Sequence, residues 1–208
     1  MLSFMDDYWK VVGSEQTTSD IRQNKHFASL TSLLMTYGGN GIAEAKIPAR
    51  YRPWKKWDLC FPQTGVAIEY KSVTSKSIEK CKYLRIEEAV GSAYDVRAAN
   101  SDLRMGFLLL FAFNRIDKKI IKSRDYMIDT FSEMVKDGLY DFFCPLQSTG
   151  IGQHEELSTE HTFENFLTNI SQGHTNARPI QRSGAKHSTD QEGVLLFGER
   201  EGIYALCR

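Results

Sequence analysis

The stretch Trp57-Asp58-Leu59-Cys60-Phe61-Pro62-Gln63-Thr64-Gly65-Val66-Ala67-Ile68-Glu69-Tyr70-Lys71-Ser72 decides the fold. Its two halves alternate with the period of two that a β-strand imposes, and Pro62-Gln63-Thr64-Gly65 between them has the composition of a turn, so the spacing predicts a β-hairpin. In the first half Trp57, Leu59 and Phe61 face one way, and Asp58 and Cys60 the other. In the second, Val66, Ile68 and Tyr70 share the apolar face, which leaves Ala67, Glu69 and Lys71 opposite. The charged residues of both strands are therefore expected on one face.

Upstream, a helix is expected from Ser19, its N-cap, with Phe27, Leu30 and Leu34 on one stripe and Gly38-Gly39 as the stop. Between Lys46 and Lys56 come five basic residues (Lys46, Arg50, Arg52, Lys55, Lys56), Tyr51, Trp54 and two prolines, without an acid. This segment reads as a rigid, exposed basic loop, with charge placed to meet anionic groups such as phosphates.

Downstream, Tyr83 to Asn100 reads as a helix with Ile86, Val90, Ala93 and Val96 or Arg97 on one side, and with small residues Gly91, Ser92 and Ala93 allowing close approach to a neighbour. Met105 to Phe113 reads as a buried strand. Another helix follows, ending at Gly138; Leu139 to Leu146 reads as a strand or extended piece stopped by Pro145; Phe163, Phe166, Leu167 and Ile170 mark a short helix. Residues 173–193 are polar and read as a mobile loop or linker, and Val194 to Phe197 with Ile203 to Leu206 as a closing hairpin. Strand, strand, helix, strand is an α/β core.

With 208 residues, 41% of them hydrophobic, the chain can bury one core, so 1–208 is expected to be a single domain. Lys and Arg number 26 against 26 acids, so a nucleic-acid surface has to come from local placement of charge. The four cysteines (Cys60, Cys81, Cys144, Cys207) form no CxxC pair and no zinc-ligand spacing, which fits free thiols in a reducing compartment. The start, MLSFMDDYWK, has acids where a signal peptide carries positive charge, and the longest apolar run, around Gly106 to Phe113, is too short to span a bilayer. A soluble cytoplasmic protein with no membrane partner is expected.

Asp58 and Glu69 are the candidate ligands for a divalent cation, since Mg2+ takes hard carboxylate oxygens and can then polarise a phosphate and acidify a water. Strand residues two apart are separated by roughly 6 to 7 Å, so Lys71 on the same face reaches the attacking water or the phosphate. The same three residues also describe a solvated sheet face with a surface ion pair. Context favours chemistry: strict alternation around the three, a basic aromatic segment beside Asp58, and a helix bearing Arg85, Glu87 and Glu88. Gly38-Gly39-Asn40-Gly41 lacks the Lys-Ser/Thr ending of a phosphate loop, neither His154 nor His161 makes HExxH, and GxSxG does not occur.

Trp57-Asp58 followed by Ile68-Glu69-Tyr70-Lys71-Ser72 resembles the active-site hairpin of the PD-(D/E)xK nuclease superfamily, with Trp57 standing where the name puts proline. Arg52-Pro53, Trp57-Asp58, Glu69-Tyr70-Lys71-Ser72 and Arg85-Ile86-Glu87-Glu88-Ala89-Val90-Gly91-Ser92-Ala93-Tyr94-Asp95 resemble, more narrowly, XhoI-type type II restriction endonucleases. The resemblance covers about Ile47 to Phe113. It implies a restriction-endonuclease-like core, a mixed central sheet flanked by helices. It also implies Asp58 and Glu69 as Mg2+ ligands and Lys71 orienting or activating the water. Glu87 or Glu88 would add a carboxylate or orient Lys71, Arg85 would touch phosphate, and Glu44 is a further candidate acid. On this reading a prokaryotic homodimer cuts double-stranded DNA at a short site, with a methyltransferase protecting the host. A repair or mobile-element nuclease, or a DNA-binding module without catalysis, would share many of the same residues.

Overall fold

The run Met105 to Phe113, apolar at every position except Gly106, has no polar face to turn to water and needs cover on both sides. In the computed structural model, which describes residues 2–13 and 19–173, it has that cover. The elements are α1 (Phe4–Gly13), α2 (Ser19–Gly38), β1 (Ile42–Pro48), β2 (Trp54–Phe61), β3 (Val66–Thr74), α3 (Ile78–Arg97), β4 (Arg104–Ala112), α4 (Lys118–Lys136), β5 (Phe142–Gly150), β6 (Gln153–Glu156) and α5 (Phe163–Gln172). Six strands form one mixed sheet in the order β1-β2-β3-β4-β5-β6. The first three run antiparallel, β3, β4 and β5 run parallel through α3 and α4, and β6 returns antiparallel at the edge. The architecture is α/β, and no helix among the described residues is long and apolar enough to cross a membrane.

Side-chain alternation sorts the core into two layers. From β4, Met105, Phe107, Leu109 and Phe111 meet Ala89, Ala93 and Val96 of α3 and Met127 and Phe131 of α4. Leu108, Leu110 and Ala112 meet Tyr8 of α1, Leu34 of α2 and Phe166 of α5. Each large side chain buried in this way contributes about 1.5–3 kcal/mol. Both parallel crossovers lie on one face because the sheet grows in one direction with crossovers of one hand. Asp117 caps α4 by accepting from Lys119 N and Ile120 N at 2.9 and 3.0 Å, and Gly138, at φ 72°, ends it in the left-handed region that favours glycine.

Several expectations change. Lys46 to Lys56 is not one loop: Lys46 pairs with Lys56, Ile47 with Lys55 and Pro48 with Trp54, so only residues 49–53 connect the strands. Of its two prolines, Pro48 is the last residue of β1 and Pro53 the last of the loop, so neither makes the whole segment irregular. Helix α3 begins at Ile78 rather than Tyr83, and its inward residues are Ile78, Ala89, Ser92, Ala93, Asp95 and Val96, with Val90 turned outward. Pro145 does not stop a strand but lies inside β5. Its carbonyl accepts from Leu157 N at 3.1 Å, so its missing N–H falls on the side where the short β6 ends, and no bond to β4 is lost. Helix α1 and strand β6 had no sequence expectation. The expected linker after Gly173 and the hairpin 194–206 lie outside the described residues.

Gly106 sits where a Cβ would come within 2.2 Å of the Phe142 ring and 2.8 Å of Ile68 Cδ1. Gly106→Ala is therefore expected to lower unfolding free energy by about 1–3 kcal/mol through overpacking. Urea unfolding with an unchanged midpoint would show that β4 and β5 have slack there.

Candidate active site

Strand β1 meets β2 at Ile42–Cys60 and Ala43–Leu59 and again from Ala45–Trp57 onward, and Glu44 and Asp58 fall in the gap between. Glu44 has φ 54°, a conformation that non-glycine residues seldom adopt. Across this gap β2 changes face. Leu59 and Phe61 pack toward α1, α2 and α5, whereas Trp57 packs with Cys60 toward α3 and α4. Strict alternation places Trp57 beside Leu59, and the structure corrects it. On the other side, β2 and β3 pair only at Leu59–Ile68, Cys60–Ala67 and Phe61–Val66. Beyond that point the strands part, and Tyr70 N donates to Asp58 Oδ2 at 2.8 Å. A side chain stands in for a strand partner there, and the carboxylate is fixed at the mouth of the split.

Glu69 and Lys71 share the parity of Ala67 and Val73, which face α3 and α4. Glu69 Oε1 receives Lys71 Nζ at 2.9 Å, with the Glu69 side chain 3% and the Lys71 side chain 22% exposed. Glu69 Oε2 and Trp57 Nε1 are buried without a hydrogen-bond partner among the described residues. Burial pushes the Asp58 carboxyl up to about 6, and Glu69 adds to the rise, against Lys71, the Tyr70 N–H and Lys55. Burial alone would lower the Lys71 pKa, but Glu69 and Asp58 outweigh it and hold the group above its ordinary value, with Arg85 opposing. Lys71 is thus a firmly protonated cation between two acids. Beneath it Tyr140, fully buried, donates to Ala89 O at 3.1 Å; burial first, then Glu69 and Asp58, hold its phenol well above the usual range.

The structure thus brings Asp58, Glu69 and Lys71 together, with Arg85 at their border. Arg85 Nη1 binds Glu88 Oε2 at 2.7 Å, and its Nε is buried without a partner among the described residues. Glu88 serves Arg85 rather than the acid pair, and Glu87 is exposed on α3. Glu44 is exposed and pairs with Lys56 at 2.8 Å. The basic residues divide by role. Lys46 lies over the Trp54 ring at 4.5 Å, Arg50 over Tyr51 at 5.8 Å, and Lys55 acts on Asp58 through its charge.

Arg52 is tied to Asp95, a residue to which the sequence alone assigns no function. Asp95 Oδ2 accepts from Arg52 Nε at 2.5 Å and Oδ1 from Tyr51 N at 2.7 Å, while its carbonyl accepts from Arg50 N at 3.1 Å. Burial pushes the Asp95 carboxyl up, but Tyr51 N–H and Arg52 prevail and hold it below its ordinary value. The visible clue was an acid late in a helix whose other inward positions are apolar or small. Its partner lies more than forty positions away, and no local spacing points to it.

Two carboxylates converge here, and no group of three or more His, Cys, Asp or Glu able to hold a metal occurs among the described residues. A divalent cation held by these two carboxylates alone would keep its other positions for water and ligand, and Glu69 Oε2, without a partner among the described residues, is the oxygen it would take. No family model matches this chain, and neither does any curated protein or solved structure.

A carboxyl whose pKa is raised on folding is stabilised in its protonated form, so the stability it contributes is present below the unfolded value near 3.8 and is lost as pH rises through about 6. Asp58→Asn, which keeps an oxygen for Tyr70 N–H, is expected to stabilise the metal-free protein by about 2–3 kcal/mol at neutral pH. The advantage should vanish as pH falls from about 6 toward 4. Chemical denaturation of both proteins at several pH values checks this; a pH-independent difference would remove the buried-charge explanation.

Proposed function

We propose that this chain is a Mg2+-dependent endonuclease of the PD-(D/E)xK type that hydrolyses phosphodiesters in double-stranded DNA, acting as a type II restriction enzyme. The observation that carries the reading is the pairing of Asp58 with Glu69, the latter almost completely buried yet with one carboxylate oxygen unpartnered, and Lys71 held as a cation beside them. Burying acids is costly unless a positive charge compensates them. Lys71 and Lys55 offset part of the charge on these acids, and a divalent cation held by both carboxylates would offset the rest. Mg2+ bound there would polarise the scissile phosphate and lower the pKa of a water.

Asp58 and Glu69 would hold the ion. Lys71, being protonated, steers the attacking water and offsets charge developing on the phosphate rather than abstracting a proton. Arg85 supplies a second positive charge at the border for a flanking phosphate, and Lys55, paired with Ile47 on the face of the site, lines the approach from the β1–β2 side, whereas Lys46 lies on the opposite face with Lys56. Cutting both strands of a short, two-fold symmetric site calls for two copies of the chain, and a methyltransferase of the same specificity would protect the host genome.

Digestion of a long unmethylated duplex by the purified chain should give discrete fragments with Mg2+ and none with EDTA. Random degradation would point to a repair or mobile-element nuclease, and retarded but intact DNA to a binding module. Glu69→Gln and Lys71→Ala are expected to abolish cutting while leaving most DNA affinity in place; full activity in either variant would take that residue out of the chemistry. Lys55→Ala should weaken DNA binding and shallow its log–log salt dependence by about one unit for the lost phosphate contact. An unchanged slope would mean that the β1–β2 hairpin does not touch the backbone.

A further inference from the structure

The chain is balanced overall, with 26 basic residues against 26 acids, but not at the edge of the sheet where β3 and β4 end and α3 and α4 begin. Residues 75–82 carry Lys76, Lys80 and Lys82, and residues 114–124 carry Arg115, Lys118, Lys119, Lys122 and Arg124. These eight cations stand against two acids, Glu79 and Asp117. Both acids have a local task. Glu79 lies in the first turn of α3 and Asp117 caps α4, positions where the helix dipole favours negative charge. The lysines have the opposite relation to the fold. Lys118 and Lys119 open α4, whose first turn holds no acid, and a cation there is disfavoured by the dipole. Nothing within one chain accounts for that choice.

The two helices present these charges side by side. Lys82 Nζ donates to Ser123 Oγ at 3.0 Å, and Arg124 Nη1 donates to Gln147 Oε1 of β5 at 3.0 Å. Ser123 and Gln147 are only 3 and 1% exposed, so two polar side chains inside the domain fix two cations at its rim. Tyr83 of α3 meets Tyr126 of α4 edge-on, and Lys122, four residues before Tyr126, shares its helical stripe. Lys118, Lys119 and Lys122 are exposed. On α3, Arg85 lies one turn beyond Lys82 and its charge acts on Lys71. A strip of positive charge therefore leads from Lys71 and Arg85 through Lys82 and Arg124 to the first turn of α4.

We propose that this strip, formed by the N-terminal halves of α3 and α4, docks the phosphate backbone of a DNA duplex as it leaves the Asp58 and Glu69 site along the carboxyl ends of β3, β4 and β5. The occupant follows from charge. A row of phosphates is favoured at once by the lysines and by the dipoles of two helices that begin at the same edge. Arg124 is held over β5, two strands from Lys71 on β3, a span of about 10 Å, or roughly three base-pair rises of a duplex. The strip thus reaches several phosphates beyond the one being cut. It ends on α3 at Glu87 and Glu88, exposed acids that a phosphate would avoid. The choice of DNA as the polyanion rests on the nuclease reading, whereas the strip itself rests on the placement of charge.

Fluorescence anisotropy of a labelled duplex with the full chain, over a salt series and without divalent metal so that nothing is cut, tests the surface. A triple variant, Lys118→Gln with Lys119→Gln and Lys122→Gln, is compared with Lys136→Gln, whose exposed side chain lies in the last turn of the same helix. The triple variant is expected to bind roughly tenfold or more weakly at low salt, with a log–log salt dependence shallower by about two units or more. Its thermal unfolding should stay at or above that of the native chain, because the three changes remove cations that oppose the dipole of α4. Lys136→Gln should bind as the native chain does. Unchanged affinity and slope in the triple variant, an equal loss in Lys136→Gln, or a native chain that binds no duplex overturns the proposal. So does binding to phosphatidylserine vesicles that the triple variant loses while its duplex binding survives. The nuclease reading fails separately: a strip-dependent complex that is never cut when Mg2+ is added refutes that reading and leaves the surface, and cutting by a triple variant of native affinity does the reverse.

Discussion

The whole site hangs on one hydrogen bond between a side chain and a backbone amide. Where β2 and β3 part, Tyr70 N would have no partner, and a buried unsatisfied amide costs on the order of 1–3 kcal/mol. Asp58 Oδ2 accepts it at 2.8 Å. That bond lets the hairpin open without leaving an orphan donor, and it aims Asp58 into the gap where Glu69 and Lys71 arrive from the next strand. The left-handed Glu44 lies across from it in the pairing gap, and the change of face puts Trp57 on the α3/α4 side, where Glu69 and Lys71 also point.

Opening the hairpin has an electrostatic result that a regular one would lack. Asp58 and Glu69 come close enough for each to feel the other, in a place where little water screens them. The structure tolerates this because Lys71 is pinned between them, and the balance among these groups sets both the reluctance of Asp58 to ionise and the firmness of the charge on Lys71. A site of this kind trades stability for readiness, which is common where a fold must bind a charged partner.

The sequence was informative wherever a period of two or of about four ran unbroken. Glu69 and Lys71 share a face and Val66, Ile68 and Tyr70 the other, as alternation requires, and β4 is buried on both sides, as its unbroken apolar run requires. Alternation failed at Asp58, because nothing in the identities of Glu44 or Asp58 announces a left-handed residue and a change of face; a glycine would have. It also hid β1, whose alternating Ala45 and Ile47 were outweighed by the proline and the basic residues that follow. The inward face of α3 was read correctly at Ile86, Ala93 and Val96 and in the close approach through Ser92 and Ala93, but not at Val90, which hydrophobicity favours and the structure turns outward. Asp95 was beyond reach, since its partners are in a distant loop.

That same Asp95 bears on kinetics and affinity. A loop of residues 49–53 that was free to wander would have to surrender its conformational freedom each time a ligand arrived, and that entropic loss would be subtracted from the favourable energy of binding. Three hydrogen bonds to a single residue of α3, two to its carboxylate and one to its carbonyl, fix the loop beforehand. The exposed Tyr51 ring and Arg50 beside it are thereby presented in a set pose on the rim of the domain, so an encounter there begins with a surface already shaped for it.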